Sequence, residues 1–93
     1  MSLDAMTWAW EQQLVPTDKF VLLAIADLAD EDGTYSLGLH RIAKKCRLNA
    51  RRVRRLVDKM VDLGLIRIEE QYRPDGSKDS NLYFLSVNGA TTP

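Results

Sequence analysis

The spacing of apolar residues along this chain changes period once, at Gly64. Before it, apolar positions recur at helical intervals. Leu39, Ile42, Ala43 and Cys46 follow i, i+3, i+4, i+7, and Val53, Leu56, Val57, Met60 and Leu63 share one face at about 100° per residue. Further upstream, "PTDKFVLLAIADLADEDG" adds Val21, Leu22, Ala24 and Ile25 to Phe20, Leu23 and Leu28. That helix is apolar on more than one side and belongs at the centre of a core. After Gly64 an alternating pattern takes over. "LIRIEEQY" (Leu65 to Tyr72) and "NLYFLSV" (Asn81 to Val87) read as two strands, joined by "RPDGSKDS" with its Pro-Asp-Gly turn signal.

Turn and cap residues set the boundaries. Pro16 and Thr17, with Thr17 as N-cap, open the central helix, and Asp18 in its first turn suits the helix dipole. That helix stops before Gly33, which leaves Asp30, Glu31 and Asp32 in the exit turn. Thr34 to Leu37 is a short β-prone piece, and Gly38 leads into the next helix. Asn49 caps a third helix from about Ala50 to Leu63, with Gly64 at C′. Upstream of all this, Trp8, Trp10, Leu14 and Val15 make residues 1–15 an apolar arm or short helix that packs on the domain or on a partner. The expected plan is that segment, one domain over 16–87, and a loose tail over 88–93. Helix, short strand, two helices and a hairpin make a mainly α (α+β) fold, a winged helix-turn-helix.

A chain of 93 residues can bury roughly 60 to 65% of its unfolded surface around a single core. With 45% apolar and 28% charged residues, the composition is that of an ordinary globular domain. Cys46 is the only cysteine and His40 the only histidine. Neither a disulfide framework nor a cysteine-rich metal site can be built, and a cytoplasmic location is expected. Phe20 to Ala26, the longest apolar run, falls far short of the roughly 20 residues that span a bilayer, so no membrane role is expected. Glycine patterns for nucleotide phosphates are missing. The residues therefore predict a protein that is not an enzyme and takes no cofactor or metal. His40 reads as a surface or half-buried helix residue, Cys46 as a small core residue, and Asp30, Glu31 and Asp32 as a solvated turn. Met6 offers an alternative start, which would make "MSLDA" an added leader.

Equal numbers of Lys+Arg and Asp+Glu conceal a partition. Residues 1–38 hold seven acids against Lys19, whereas residues 39–59 hold nine bases against Asp58, a net of +8. Polyanions respond to such a local field whatever the total. Within the block, "NARRVRRLVDK" puts Arg51, Arg52, Arg54 and Arg55 in the first half of the third helix, with Asp58 and Asp62 in the second. Val53, Leu56, Val57, Met60 and Leu63 tie that helix to the core. Arg51, Arg55, Asp58, Lys59 and Asp62 lie on the free face, flanked by Arg52 and Arg54.

A helix polar on its free side can enter a major groove about 12 Å wide, and its N-terminal residues meet the base edges. Arginine suits the task because its planar fork can grip guanine O6 and N7 together, or hold a phosphate through two bonds. The expected partner is therefore double-stranded DNA. Its recognition-helix contacts would be Asn49, Arg51, Arg52, Arg54, Arg55 and Lys59. Backbone contacts fall to Arg41, Lys44, Lys45 and Arg47, and wing contacts to Arg73, Ser77 and Lys78. A solvated helix with Arg54–Asp58, Arg55–Asp58 and Arg55–Asp62 pairs is the plainer alternative.

The runs "DKFVLLAIADLADEDG", "RIAKKCRLNARRVRRLVDKMVDLGLIRI" and "RPDGSKDSNLYFL" resemble the winged helix-turn-helix domain of phage and prophage replication proteins and of related plasmid and regulatory proteins. The likeness covers about residues 8–87; "IA", the Asn49 cap and "LGLI" are common to many winged helices. "KFVLLAIAD" and "GSKDSNLYFL" are more particular to the replication-associated group. The resemblance implies duplex DNA binding through Ala50 to Leu63 with wing support, in origin recognition at phage-type replication initiation and alongside replication proteins. Transcriptional regulation is the runner-up. Two features depart from that family: Gly38 stands where a Ser or Thr cap is common, and helicase-loading segments are missing, as in a fragment or a stand-alone DNA-binding protein. A protein–protein interaction module remains the third reading, with Trp8 and Trp10 in core packing or a homodimer interface.

Overall fold

A computed structural model describes residues 3–87. Its elements are α1 (Leu3–Glu11), α2 (Pro16–Leu28), β1 (Thr34–Tyr35), α3 (Leu39–Cys46), α4 (Ala50–Asp62), β2 (Ile66–Glu69) and β3 (Leu82–Leu85). The tail over 88–93, expected to be loose, lies outside the described residues. Four helices and a small antiparallel sheet form the α+β winged helix-turn-helix arrangement. The sheet has three strands, the expected hairpin joined by the expected short strand. β3 runs between β1 and β2, pairing Tyr83 with both Tyr35 and Ile68. Thr34–Tyr35 is β-prone, and the edge of β3 gives its backbone groups a partner, so two residues suffice for a strand there. β2 and β3 are shorter than the alternation suggests, because residues 69–80 are exposed and have no core to pack against.

The core runs through all four helices and the sheet: Trp8 from α1, Leu22 and Ile25 from α2, Ile42 from α3, Val53, Val57 and Met60 from α4, and Tyr35, Ile66 and Leu85 from the strands. α1 is thus a structural part of the domain. Three local expectations change. Thr17 does not cap α2; Val15 holds the N-cap position without a side-chain bond, and Pro16 is the first helical residue. Proline is favoured there because its fixed φ matches the helix and its missing N–H would be unpaired anyway. Phe20 and Leu63, read as core residues, are 53% and 55% exposed. Leu63 ends α4, after which Gly64 (φ +77°) turns the chain in a conformation that L side chains disfavour.

Tyr35 is fully buried and donates its hydroxyl to the Gly38 carbonyl at 2.6 Å. Burial pushes this phenol up to about 12, partly offset by Arg41, with Tyr83 adding to the rise. The folded-state value lies above the ordinary one of 10.0. The stabilisation is therefore complete below pH 10 and is lost as pH rises towards 12. By linkage, Tyr35 should remove roughly 2 kcal/mol of stability between pH 9 and pH 12. Urea denaturation across that range should show the loss, and Tyr35→Phe should flatten it.

Candidate functional site

α3, a three-residue turn and α4 carry the basic block, most of it as exposed side chains. The turn depends on Arg47, which closes α3 in the left-handed region at φ 57° and ψ 41°. Among the described residues it is the only non-glycine with positive φ. Glycine is the usual occupant of such a position; an L side chain costs about 1 kcal/mol there. Keeping arginine at that cost holds a cation at the junction of the two helices. Asn49 then caps α4, its Oδ1 accepting the Arg52 backbone N–H at 2.8 Å. That oxygen, placed among the expected DNA contacts, is committed to the helix end. Ile42, Ala43 and Cys46 of α3 and Val53, Val57 and Met60 of α4 are buried, which leaves the arginines on the outside.

Pairing divides the thirteen lysines and arginines more sharply than position does. Arg51, Arg52, Arg54 and Arg55 are exposed, and among the described residues none forms an ion pair. The alternative pairs with Asp58 and Asp62 are not formed. Arg41, Lys44 and Arg47 are likewise exposed and without an ion pair among the described residues. Seven cations of α3, the turn and α4 thus have no ion-pair partner among the described residues.

Lys59 is different. It is tied to Asp18 of α2 at 2.7 Å, and that carboxylate is nearly buried at 3% exposure. Lys59 follows Arg52 by seven residues on the same flank of α4, and there its ammonium is held by Asp18. Lys45 is bound to Asp27 of α2 at 3.0 Å. Both lysines, expected as DNA contacts, bridge helices.

In the wing the expected DNA-contacting side chains have carboxylate neighbours. Arg73 lies 3.8 Å from Asp79, and Lys78 lies 3.7 Å from Glu70. Ser77 donates its hydroxyl to Asp75 at 2.6 Å. Glu70 is held below its ordinary range by the Tyr72 hydroxyl and then by Lys78; the Asp75 carboxyl is lowered chiefly by Ser77. Residues 67–80 contain four acids and three bases, so the hairpin adds no positive field. Hairpin carboxylates lie within a few residues of its cations in sequence; the strand pairing brings them together.

Between the start of α4 and the base of the wing lies an open cleft of about 330 Å³, lined by His40, Ala50, Arg54, Lys78, Asn81 and Tyr83 among others. Sequence reading missed Asn81 and Tyr83 here, since strand residues reveal their neighbours only once β3 is placed. Asn81 Oδ1 is buried without a hydrogen-bond partner. Tyr83 is pushed up by burial, against opposing contributions from Asn81 and Arg54. Cys46 is buried and its thiol is raised by the same cause. Trp8 is buried in the core and Trp10 is 61% exposed, so the two tryptophans have separate roles. In the exit turn, Asp30 Oδ1 accepts the backbone N–H groups of Asp32 and Thr34. No group of metal-binding side chains occurs among the described residues, and none of their helices is long and apolar enough to cross a membrane.

The family model described as a helix-turn-helix domain matches residues 12–66, which span α2 to the start of β2. No curated protein and no solved structure shows a match to the chain.

Proposed function

We propose that this chain, which belongs to the helix-turn-helix domain family, binds double-stranded DNA by placing the N-terminal half of α4 in the major groove. The carrying observation is that seven exposed cations on α3, the turn and α4 have no ion pair among the described residues. Arg51 and Arg55, one helical turn apart on the outermost face, reach base edges; Arg52 and Arg54 reach the two bordering strands. Arg41, Lys44 and Arg47 hold phosphates beside the groove. The role is non-catalytic. The resemblance of "KFVLLAIAD" and "GSKDSNLYFL" to replication-associated domains favours origin recognition in a phage-type system; a transcriptional regulator would make the same contacts.

Selection of bound duplexes from a randomised pool at near-physiological salt tests the reading. A convergent motif is expected, with affinity that falls steeply with salt, by about 0.9 log units per tenfold increase for each phosphate neutralised. No enrichment and no salt dependence would overturn it. In the same assay, Arg73→Ala and Lys78→Ala should bind the selected duplex within about threefold of the parent, because each cation already faces a carboxylate.

A further inference from the structure

Helix α1 carries two apolar stripes. Ala5, Trp8 and Ala9 are buried against the domain. Leu3, Met6 and Trp10, at i, i+3 and i+7, form a second line on which Leu3 is 74% and Trp10 61% exposed. A helix apolar on both sides is ordinarily covered on both. The open stripe borders a groove of about 440 Å³ whose walls include Met6, Trp10, Phe20, Leu23 and Cys46. Four of the seven large hydrophobic residues exposed among the described residues (Leu3, Trp10, Val15 and Phe20) lie on α1, α2 or their connection.

We propose that this surface is a self-association face, on which the α1 ridge of a second copy of the chain lies in the groove and the relation is reciprocal. Ridge and groove occur side by side on one surface. This is what a two-fold interface requires, since each copy must supply both shapes. Charge points the same way. The charged residues lining the groove are Asp27 and Lys45, already paired at 3.0 Å, so the patch offers no net charge to recruit a strongly acidic or basic partner. The whole chain has a formal net charge of +0, so two copies do not repel at long range. Trp10 is also held in advance. Lys19 Nζ donates to the Trp10 carbonyl at 2.8 Å and sits 5.9 Å from the ring centroid, which lowers the ordering cost of association.

The exposed apolar area on this face is on the order of 300–500 Å² per copy, less than the roughly 800 Å² per partner of a standard stable interface. Association in solution is therefore weak. Two copies on neighbouring DNA sites would be strengthened by their local concentration, a consequence that rests on the DNA-binding reading; the interface itself does not.

Sedimentation velocity of the full chain without DNA, from about 5 µM to about 500 µM, should show a concentration-dependent shift from monomer to dimer. Trp10→Gln and Phe20→Gln should each raise the midpoint concentration by about tenfold or more with unchanged circular dichroism, since both side chains are more than half exposed. A parent chain that stays monomeric throughout overturns the proposal, as does a Trp10→Gln variant that dimerises like the parent. Because no DNA is present, this failure is separate from a failure to select a duplex.

Discussion

Replacing Arg51 and Arg55 together by alanine should weaken binding to the selected duplex by roughly 2–4 kcal/mol, about 30- to 1,000-fold, and leave the fold intact. Both side chains are exposed, and neither forms an ion pair among the described residues. Nothing in the core loses a partner when they are shortened. They also stand at i and i+4, where like charges disfavour a helix by a few tenths of a kcal/mol, and alanine has the higher helix propensity. The variant should thus melt at the parent's temperature or slightly above it. Its salt dependence should flatten by about 0.9 in log–log slope for each arginine that held a phosphate, and sequence preference should relax where an arginine met a base. Fluorescence anisotropy with matched and scrambled duplexes at several salt concentrations separates the two contributions. Parent-like affinity in a folded double variant would show that α4 does not read the groove.

Lys59→Ala should do the reverse, with a loss of about 3 kcal/mol in stability and little change in DNA affinity measured on the folded protein. The cause is Asp18. Its carboxylate is nearly buried in the first turn of α2, and Lys59 Nζ at 2.7 Å is the cation that compensates it. Removing the lysine leaves a desolvated charge without its partner, a much larger cost than losing a surface pair. The lysine side chain is itself 54% exposed, which places the effect at the lower end of the range for buried pairs. Asp18→Asn combined with Lys59→Met should recover much of the loss, because neither charge then needs a partner. Chemical denaturation of the parent, Lys59→Ala and the double variant measures the loss and the recovery. A Lys59→Ala variant as stable as the parent but defective in DNA binding would return Lys59 to the groove.

These opposite expectations for two neighbouring kinds of cation mark how far the sequence could be read. The arginine-bearing helix was legible because its determinants are local. Asn49 caps α4 through a bond to Arg52 three residues away, the apolar spacing of Val53, Val57 and Met60 fixes the inner face, and the outer face follows from periodicity. The same holds for the α3–α4 pair and for the change to strand at Gly64.

The sequence could not say which cations are free. Asp18 and Lys59 are 41 positions apart, and Asp27 and Lys45 are joined only because α2 packs on α4 and α3. Within the wing, the isolated antiparallel bridge of Tyr72 with Lys78 brings Lys78 beside Glu70. Nor could it separate Trp8 from Trp10, or show that Thr34–Tyr35 would find the free edge of β3. By itself, then, the sequence determined the three main helices, the Asn49 cap of α4, the order of elements and the basic block, since each depends on residues within a turn or two of one another. The tertiary structure decided which charges are consumed and which apolar surface stays open, because those depend on how the helices cross, and helix crossing is settled by packing the core as a whole.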